Sequence, residues 1–319
     1  MRTIAFVVLA LAGSARAEPA FEPLGDDAYL LRGEFVAGRQ PDGNSVVLVG
    51  KTGLVVVDSG RHREHTRRIV EFARTRELPI QHVINTHWHL DHIGGNPVLK
   101  RAYPQLQVHA SNAIVGAMSG FLARYRSDLK TLLAGSADDA TKAAWQAELA
   151  LINAGEALYP DAPVDADGSV EWAGRSLQVH LATHAVTEGD VWLYQPQARL
   201  VIAGDLVTLP TPLLDTACPA RWQQTLRELE QVDFRALVPG HGAAMTRRDL
   251  TTYREGFDHL LACAASDASA DQCTADWMTT LGELIPESDR PLARDLLGYY
   301  LTQVLRGNPT PIAQRCAEP

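Results

Sequence analysis

The sequence predicts an α/β protein in which two packed β-sheets are covered by helices on their outer faces. Two observations carry this expectation. Short β-type runs bounded by Gly-containing turns come in two successive groups, and helical periodicity follows within each group. A third observation bounds the size: 319 residues, 46% hydrophobic and 21% charged, suit a globular chain with room for one large α/β domain. Pattern alone supports this αββα layering without separating it from other α/β layers.

In order, Tyr29–Arg32, Ser45–Val49 and Gly53–Asp58 are expected strands. The charged stretch from Arg63 to Arg76 carries Ile69, Val70, Phe72 and Ala73 at helical spacing. Gln81 to Asn85 is a short buried strand, and Asn112 to about Gly155 is mostly helical with a break near Gly135-Ser136. Leu177–Leu181, Val191–Tyr194, Leu200–Ala203 and Ala236–Val238 form the second strand group. Arg221 to Gln231, Arg247 to Ala265 and Asp276 to Leu305 are expected helices, the last broken near Pro286 and Pro291.

Met1-Arg2, the apolar run Ile4 to Ala12 and Ala15-Arg16-Ala17 together have the form of a secretory signal peptide, residues 1–17, with cleavage after Ala17. The run falls short of the ~20 residues that span a bilayer, so an anchor is disfavoured and no membrane attachment is expected after cleavage. The expected location is the periplasm or the medium. The net charge of −9 would become about −11 in the mature chain, which argues against nucleic acid as a partner. Export makes disulfides possible for Cys218, Cys263, Cys273 and Cys316. Three pairings exist. Cys263–Cys273 with Cys218–Cys316 is the expected one because it closes a short local loop, and buried free thiols are the alternative.

The chemistry is concentrated in His87, His89, Asp91 and His92, between an apolar strand ending at Asn85 and the pair Gly94-Gly95. A strand-to-helix turn lets these side chains converge. Imidazoles suit zinc, and the carboxylate adds a harder, charge-neutralising ligand. A histidine-rich surface turn is the bland alternative, and a spacing of this kind makes it a poor one.

The segment Thr86-His87-Trp88-His89-Leu90-Asp91-His92 resembles the signature of the metallo-β-lactamase superfamily. Val55-Val56-Val57-Asp58-Ser59-Gly60, Val201-Ile202-Ala203-Gly204-Asp205 and Leu237-Val238-Pro239-Gly240-His241-Gly242 are similar to its further motifs, in family order. The resemblance implies an αββα sandwich over 18–245, followed by a helical C-terminal extension, 246–319, packed on it. It implies that His87 and His89 bind a first metal, that Asp91, His92 and His241 bind a second, and that Asp205 bridges them. Asp58 would orient the loop from behind, and Asp91 is the catalytic candidate. The implied function is hydrolysis of an ester, thioester, lactone or amide bond of a small molecule by metal-activated water. Zn2+, one or two ions, is the default cofactor, with iron and manganese compatible with the same donors.

The chain departs from the family pattern in one segment, Thr183-His184-Ala185-Val186-Thr187-Glu188-Gly189-Asp190. The family places a further histidine here, but counting back from Gly189-Asp190 puts Val186 in its seat. Three readings follow: His184 reaches the metal through a local shift, the first site is weak and the centre mononuclear, or hydrolysis has been lost. Asp205 resembles the glyoxalase II-like, lactonase-like and phosphodiesterase-like branches, since the broad-range lactamase subclass has Cys there. The leader and motifs are also similar to periplasmic metallohydrolases found beside quinoprotein oxidation systems. The alternatives in other classes are a non-hydrolytic metal or ligand binder and a mononuclear iron dioxygenase acting on sulfur compounds. Gly120 to Leu132, with Phe121, Tyr125 and Arg126, is a candidate lid over the site, and Pro210 to Trp222 a candidate wall.

Overall fold

The structure is a computed structural model that describes residues 21–36 and 39–317. The export segment read at 1–17 lies outside the described residues. Among those, no helix is long and apolar enough to cross a membrane.

The first sheet runs in chain order through β1 (Glu22–Gly25), β2 (Ala28–Leu31), β3 (Ser45–Val49), β4 (Leu54–Val57), β5 (Ile80–Ile84), β6 (Gln107–Ala110) and β7 (Ala162–Pro163). The second comprises β8 (Gly168–Trp172), β9 (Arg175–Ala182), β10 (Asp190–Gln195), β11 (Leu200–Thr208) and β12 (Ala236–His241), with β12 and β8 at its edges. Pairing is antiparallel from β1 to β4 and parallel from β4 to β7, and β11 pairs parallel with β12. Parallel neighbours need crossovers. These are α1 (Arg63–Thr75) after β4, then α2 (Leu90–Ile93) and α3 (Asn96–Ala102) after β5. A helical insertion, α4 (Ala113–Ser119), α5 (Phe121–Ala134) and α6 (Asp139–Ile152), separates β6 from β7. α7 (Pro219–Gln231) joins β11 to β12, and α8 (Arg247–Ala264), α9 (Ala270–Leu281), α10 (Arg290–Tyr299) and α11 (Thr310–Cys316) complete the chain.

The apolar strands are buried on both faces, which is why they read as continuous runs and not as alternations. Val46, Leu48, Val55, Val57 and Ile84 meet Leu177, Val179, Val191 and Ile202 between the sheets. The intervening residues Val47, Val56 and Val83 pack outward on Ile69, Ala73 and Leu99. Val201, Ala203 and Leu237 face Trp222, Leu226, Tyr253 and Phe257 on the other side. The order of layers is therefore helix, sheet, sheet, helix, and α8 supplies part of the outer layer of the second sheet.

Several elements differ from the sequence reading. β6 and β8 were not anticipated: Gln107–Ala110 is too short to show a period, and Gly168–Trp172 is mostly exposed. β11 continues past Ala203 to Thr208, because Gly204 takes a φ of 55° and the register with β12 shifts there, absorbing a bulge within the strand. The helix expected from Asp276 begins at Ala270, where the Ser269 side chain accepts from the Gln272 N–H. Cys218 is bonded to Cys316 and Cys263 to Cys273.

One histidine pair away from the motifs, half-buried His82 and buried His109, is held below the ordinary imidazole range by desolvation. His82 Nδ1 on β5 lies 3.1 Å from His109 Nε2 on β6, and Trp172 stacks on His109 at 4.2 Å. Burial pushes His109 down to about 4 from an ordinary 6.5, and His82 acts in the same direction. The unfolded chain then takes up this proton first. Its stabilising contribution is complete above about 6.5 and lost as pH falls toward about 4. Solvent screening brings the expected effect to about 1–2 kcal/mol. In urea unfolding of chelator-treated protein, His109→Gln should lose that much less stability than the parent between these pH values. Parallel pH curves would show that His109 contributes nothing.

Candidate metal centre

β4 delivers its last residue to a sharp turn. Asp58 has a φ of 59°, a conformation that a non-glycine residue adopts at a cost, and its side chain is held from several directions. Asp58 Oδ1 accepts from the Thr86 N–H at 2.8 Å, and Oδ2 accepts from the Thr86 hydroxyl at 2.8 Å. His92 Nδ1 lies 2.8 Å from the same Oδ2. The loop after β5 is closed by Asn85, whose side-chain amide donates to the His92 carbonyl at 3.0 Å.

Hydroxyl valence fixes the imidazole tautomers. Thr86 spends its only hydroxyl proton on Asp58, so the 3.0 Å contact with His87 Nδ1 requires that nitrogen to donate. His87 Nε2 is then a bare lone pair. His92 donates from Nδ1 to Asp58, so in its neutral form Nε2 is likewise the bare nitrogen. Thr216 donates to the Val186 carbonyl at 2.8 Å, so His89 Nε2, 3.0 Å from Thr216 Oγ1, carries the proton and His89 Nδ1 is bare.

Two groups of potential ligand atoms result, sharing His92: His87, His92 and Asp205, and Asp91, His92 and His241. His92 Nε2 stands 3.3 Å from Asp205 Oδ1 and 3.6 Å from Asp91 Oδ2. His241 Nε2 is 3.0 Å from Asp91 Oδ2, and His87 Nε2 is 3.6 Å from Asp205 Oδ2. All five side chains are buried. His87 Nε2, His92 Nε2, both oxygens of Asp205 and His241 Nε2 lack a well-formed hydrogen bond. Buried polar atoms left in this state are costly, and a divalent cation held by either group would satisfy the donors that surround it. The donor set therefore fits a metal ion.

The electrostatics agree with this fit. Burial works against ionising Asp205, yet His92, His241 and His87 hold its carboxyl well below the usual range. Burial, with His92 and His89 beside it, pushes His87 down and keeps it a neutral imidazole suited to ligation. At His92, burial is overridden by Asp205, Asp58 and Asp91, which together favour positive charge at this spot.

The strand ends are shaped for close approach. A Cβ on Gly240 would sit 1.9 Å from Asp205 Oδ1, so the residue before His241 must be glycine for β12 to pass the carboxylate. The motif around His241 is thus a packing requirement as well as a turn.

Of the expected ligands, the structure brings together His87, Asp91, His92, Asp205 and His241. His89 falls outside both groups: its ring centroid is 4.5 Å from that of His87 and its Nε2 is engaged by Thr216. His184 is not brought in. It is half-buried with a φ of 57°, and its backbone N–H points at the Glu188 carbonyl. Val186 lies in the core with Trp192 and Val201, its N–H bonded to Asp190 Oδ2 at 2.9 Å. The reading from sequence assigned no role to Thr86, Thr216, Arg61 or Glu148. Thr86 was at least signalled by its place beside His87, but Thr216 meets His89 across 127 positions of chain and left no local sign. The expected lid is α5, where Leu122 and Leu129 are buried, Phe121 packs on Trp88 at 5.5 Å, and the Tyr125 hydroxyl donates to Glu148.

Comparison with known proteins bears on this centre. A family model for the metallo-beta-lactamase superfamily matches residues 38–241. A linear primary-alkylsulfatase of Pseudomonas sp. (strain ATCC 19151) is 26% identical over 62% of this chain and 41% of its own length. An atrochrysone carboxyl ACP thioesterase of Pseudocercospora fijiensis is 37% identical over 28% of each chain. The chain thus spans less than half the length of these curated relatives. Among solved structures, a metallo-beta-lactamase from Pontibacter korlensis superposes with a TM-score of 0.54 at 20% identity, covering 73% of this chain and 95% of that one. The DIM-1 metallo-beta-lactamase gives 0.53 at 15% identity over 75% and 97%. At these identities the likeness speaks for the fold.

Proposed function

The chain belongs to the metallo-beta-lactamase superfamily, and from that premise we propose that it is an exported, zinc-dependent hydrolase of a small molecule carrying an ester, thioester, lactone or amide bond. The observation that supports this most is the convergence of His87, His92, Asp205, Asp91 and His241 in two buried groups that share His92, with the ligating atoms of His87, His92, Asp205 and His241 unpaired. Residues 18–245 carry the centre, and the helical 246–319 pack on them. Export draws support from the N-terminal segment and from the two disulfides. The relatives named as a thioesterase and an alkylsulfatase favour an ester-type bond over an amide.

A divalent ion held there supplies a Lewis acid and makes water nucleophilic near neutral pH. The chain's own residues set up that chemistry. Asp58 and Thr86 hold His92 and His87 with Nε2 toward the centre, and Thr216 holds His89 with its proton on the outer nitrogen. Asp91 offers a carboxylate at the same spot. Because Val186 belongs to the core and His184 stands apart, the form of the centre we propose is a single ion on Asp91, His92, His241 and Asp205, with His87 Nε2 beside it, 3.6 Å from Asp205 Oδ2.

The test is metal content per chain by elemental mass spectrometry, paired with turnover on a panel of carboxylic, thio-, lactone and sulfate esters before and after chelation. One tightly held zinc ion and chelator-sensitive turnover are expected. Metal bound without turnover on any substrate would indicate a binding protein, and iron with oxygen uptake would indicate a dioxygenase.

A further inference from the structure

Arg61 follows the Asp58-Ser59-Gly60 turn and is buried deeper than its charge would ordinarily allow: its side chain is 9% exposed. Its backbone N–H donates to Asp42 Oδ1 at 2.7 Å, which fixes where the residue starts. From there the guanidinium reaches three acceptors. Nε donates to the Pro41 carbonyl at 3.0 Å, Nη2 points at Asp91 Oδ1 at 3.4 Å, and Nη1 is bonded to Glu148 Oε2 on α6. Glu148 is buried too and also accepts from the Tyr125 hydroxyl on α5 at 3.3 Å.

The consequence lies in how Asp91 is divided. Its Oδ2 faces His241 and His92, while its Oδ1 is turned to Arg61. A carboxylate free to rotate would present either oxygen, or both. We propose that Arg61 is a positioning residue that commits Asp91 to one oxygen toward the metal, and that Glu148 of the helical insertion holds Arg61 in place. The planar fork of arginine serves both carboxylates from one buried site, which a lysine ammonium at the same position does not. The insertion is therefore joined to the centre by charge as well as by packing, where Trp88, Leu90 and Ile93 of the metal loop meet Leu122, Leu129 and Ile152. This role rests on the metal centre proposed above.

The experiment is a titration of chelator-stripped full-length protein with Zn2+ against a chromophoric competitor. Removing Arg61 alone leaves Glu148 buried without a counter-charge, so the informative variants are Glu148→Gln and the double variant Arg61→Ala/Glu148→Gln, both checked for folding by circular dichroism. The double variant should bind Zn2+ about 10- to 100-fold more weakly, and Arg61→Lys should fall between it and the parent. In an Asp91→Ala background the same double change should have no further effect, because its effect runs through Asp91; a merely structural role would give the same loss in both backgrounds. Unchanged Zn2+ affinity in the double variant, or an equal loss in both backgrounds, overturns the role of Arg61. A parent that binds no Zn2+ overturns the metal centre itself, and this role with it.

Discussion

His92→Ala is expected to empty the centre and to lower hydrolysis on the order of 10^3-fold or more. His92 belongs to both ligand groups and is the link between them and Asp58. Its loss removes the donor common to both groups and leaves His241 as the imidazole that still faces both buried carboxylates, Asp91 and Asp205. A thousandfold loss corresponds to about 4 kcal/mol of transition-state stabilisation. The check is metal content and turnover of the purified variant beside His259→Ala, a change at an exposed position of α8. Parent-like metal content in His92→Ala would remove the centre from this place in the fold.

Cys316→Ser is expected to cost about 2–5 kcal/mol of stability, more than Cys273→Ser. Cys218–Cys316 spans 98 positions and Cys263–Cys273 spans 10, and a cross-link restrains the unfolded chain more the longer the loop it closes. The longer bridge also has a local task. It ties the C-terminal helix to the segment carrying Thr216, with Arg315 Nε adding a 2.8 Å bond to the Ala217 carbonyl. Urea unfolding of the two variants provides the comparison. Equal losses would mean that loop length is not the source of the stabilisation.

Much of the fold was legible because its strands are buried on both sides. Ser45–Val49 and Gly53–Asp58 read as apolar runs between glycines, and such runs have few other uses in a chain of this composition. The strands that escaped, β1, β6, β7 and β8, lack that signature: β1, β6 and β7 are two to four residues long, and β8 lies on the sheet edge with mostly exposed side chains. The same contrast holds at the centre. His87, Asp91 and His92 lie within one turn, so their convergence is a local property of spacing. Asp205 and His241 could be placed only through motif order, since each of them by itself is a strand-end residue.

The sequence by itself determined the α/β class, the metal-binding loop and the residue types that a divalent ion requires, because those depend on burial periodicity and on donors close together in the chain, while the αββα order of layers was legible only through the resemblance to the superfamily. Only the tertiary structure decided which donors meet and how they are held. It placed Val186 in the core and left His184 outside the ligand groups, gave His89 to Thr216, and set Arg61 between Asp91 and Glu148. Those contacts join residues 30 to 127 positions apart, and hydrogen-bond valence and buried charge act through distance in space. Spacing along the chain carries no record of them.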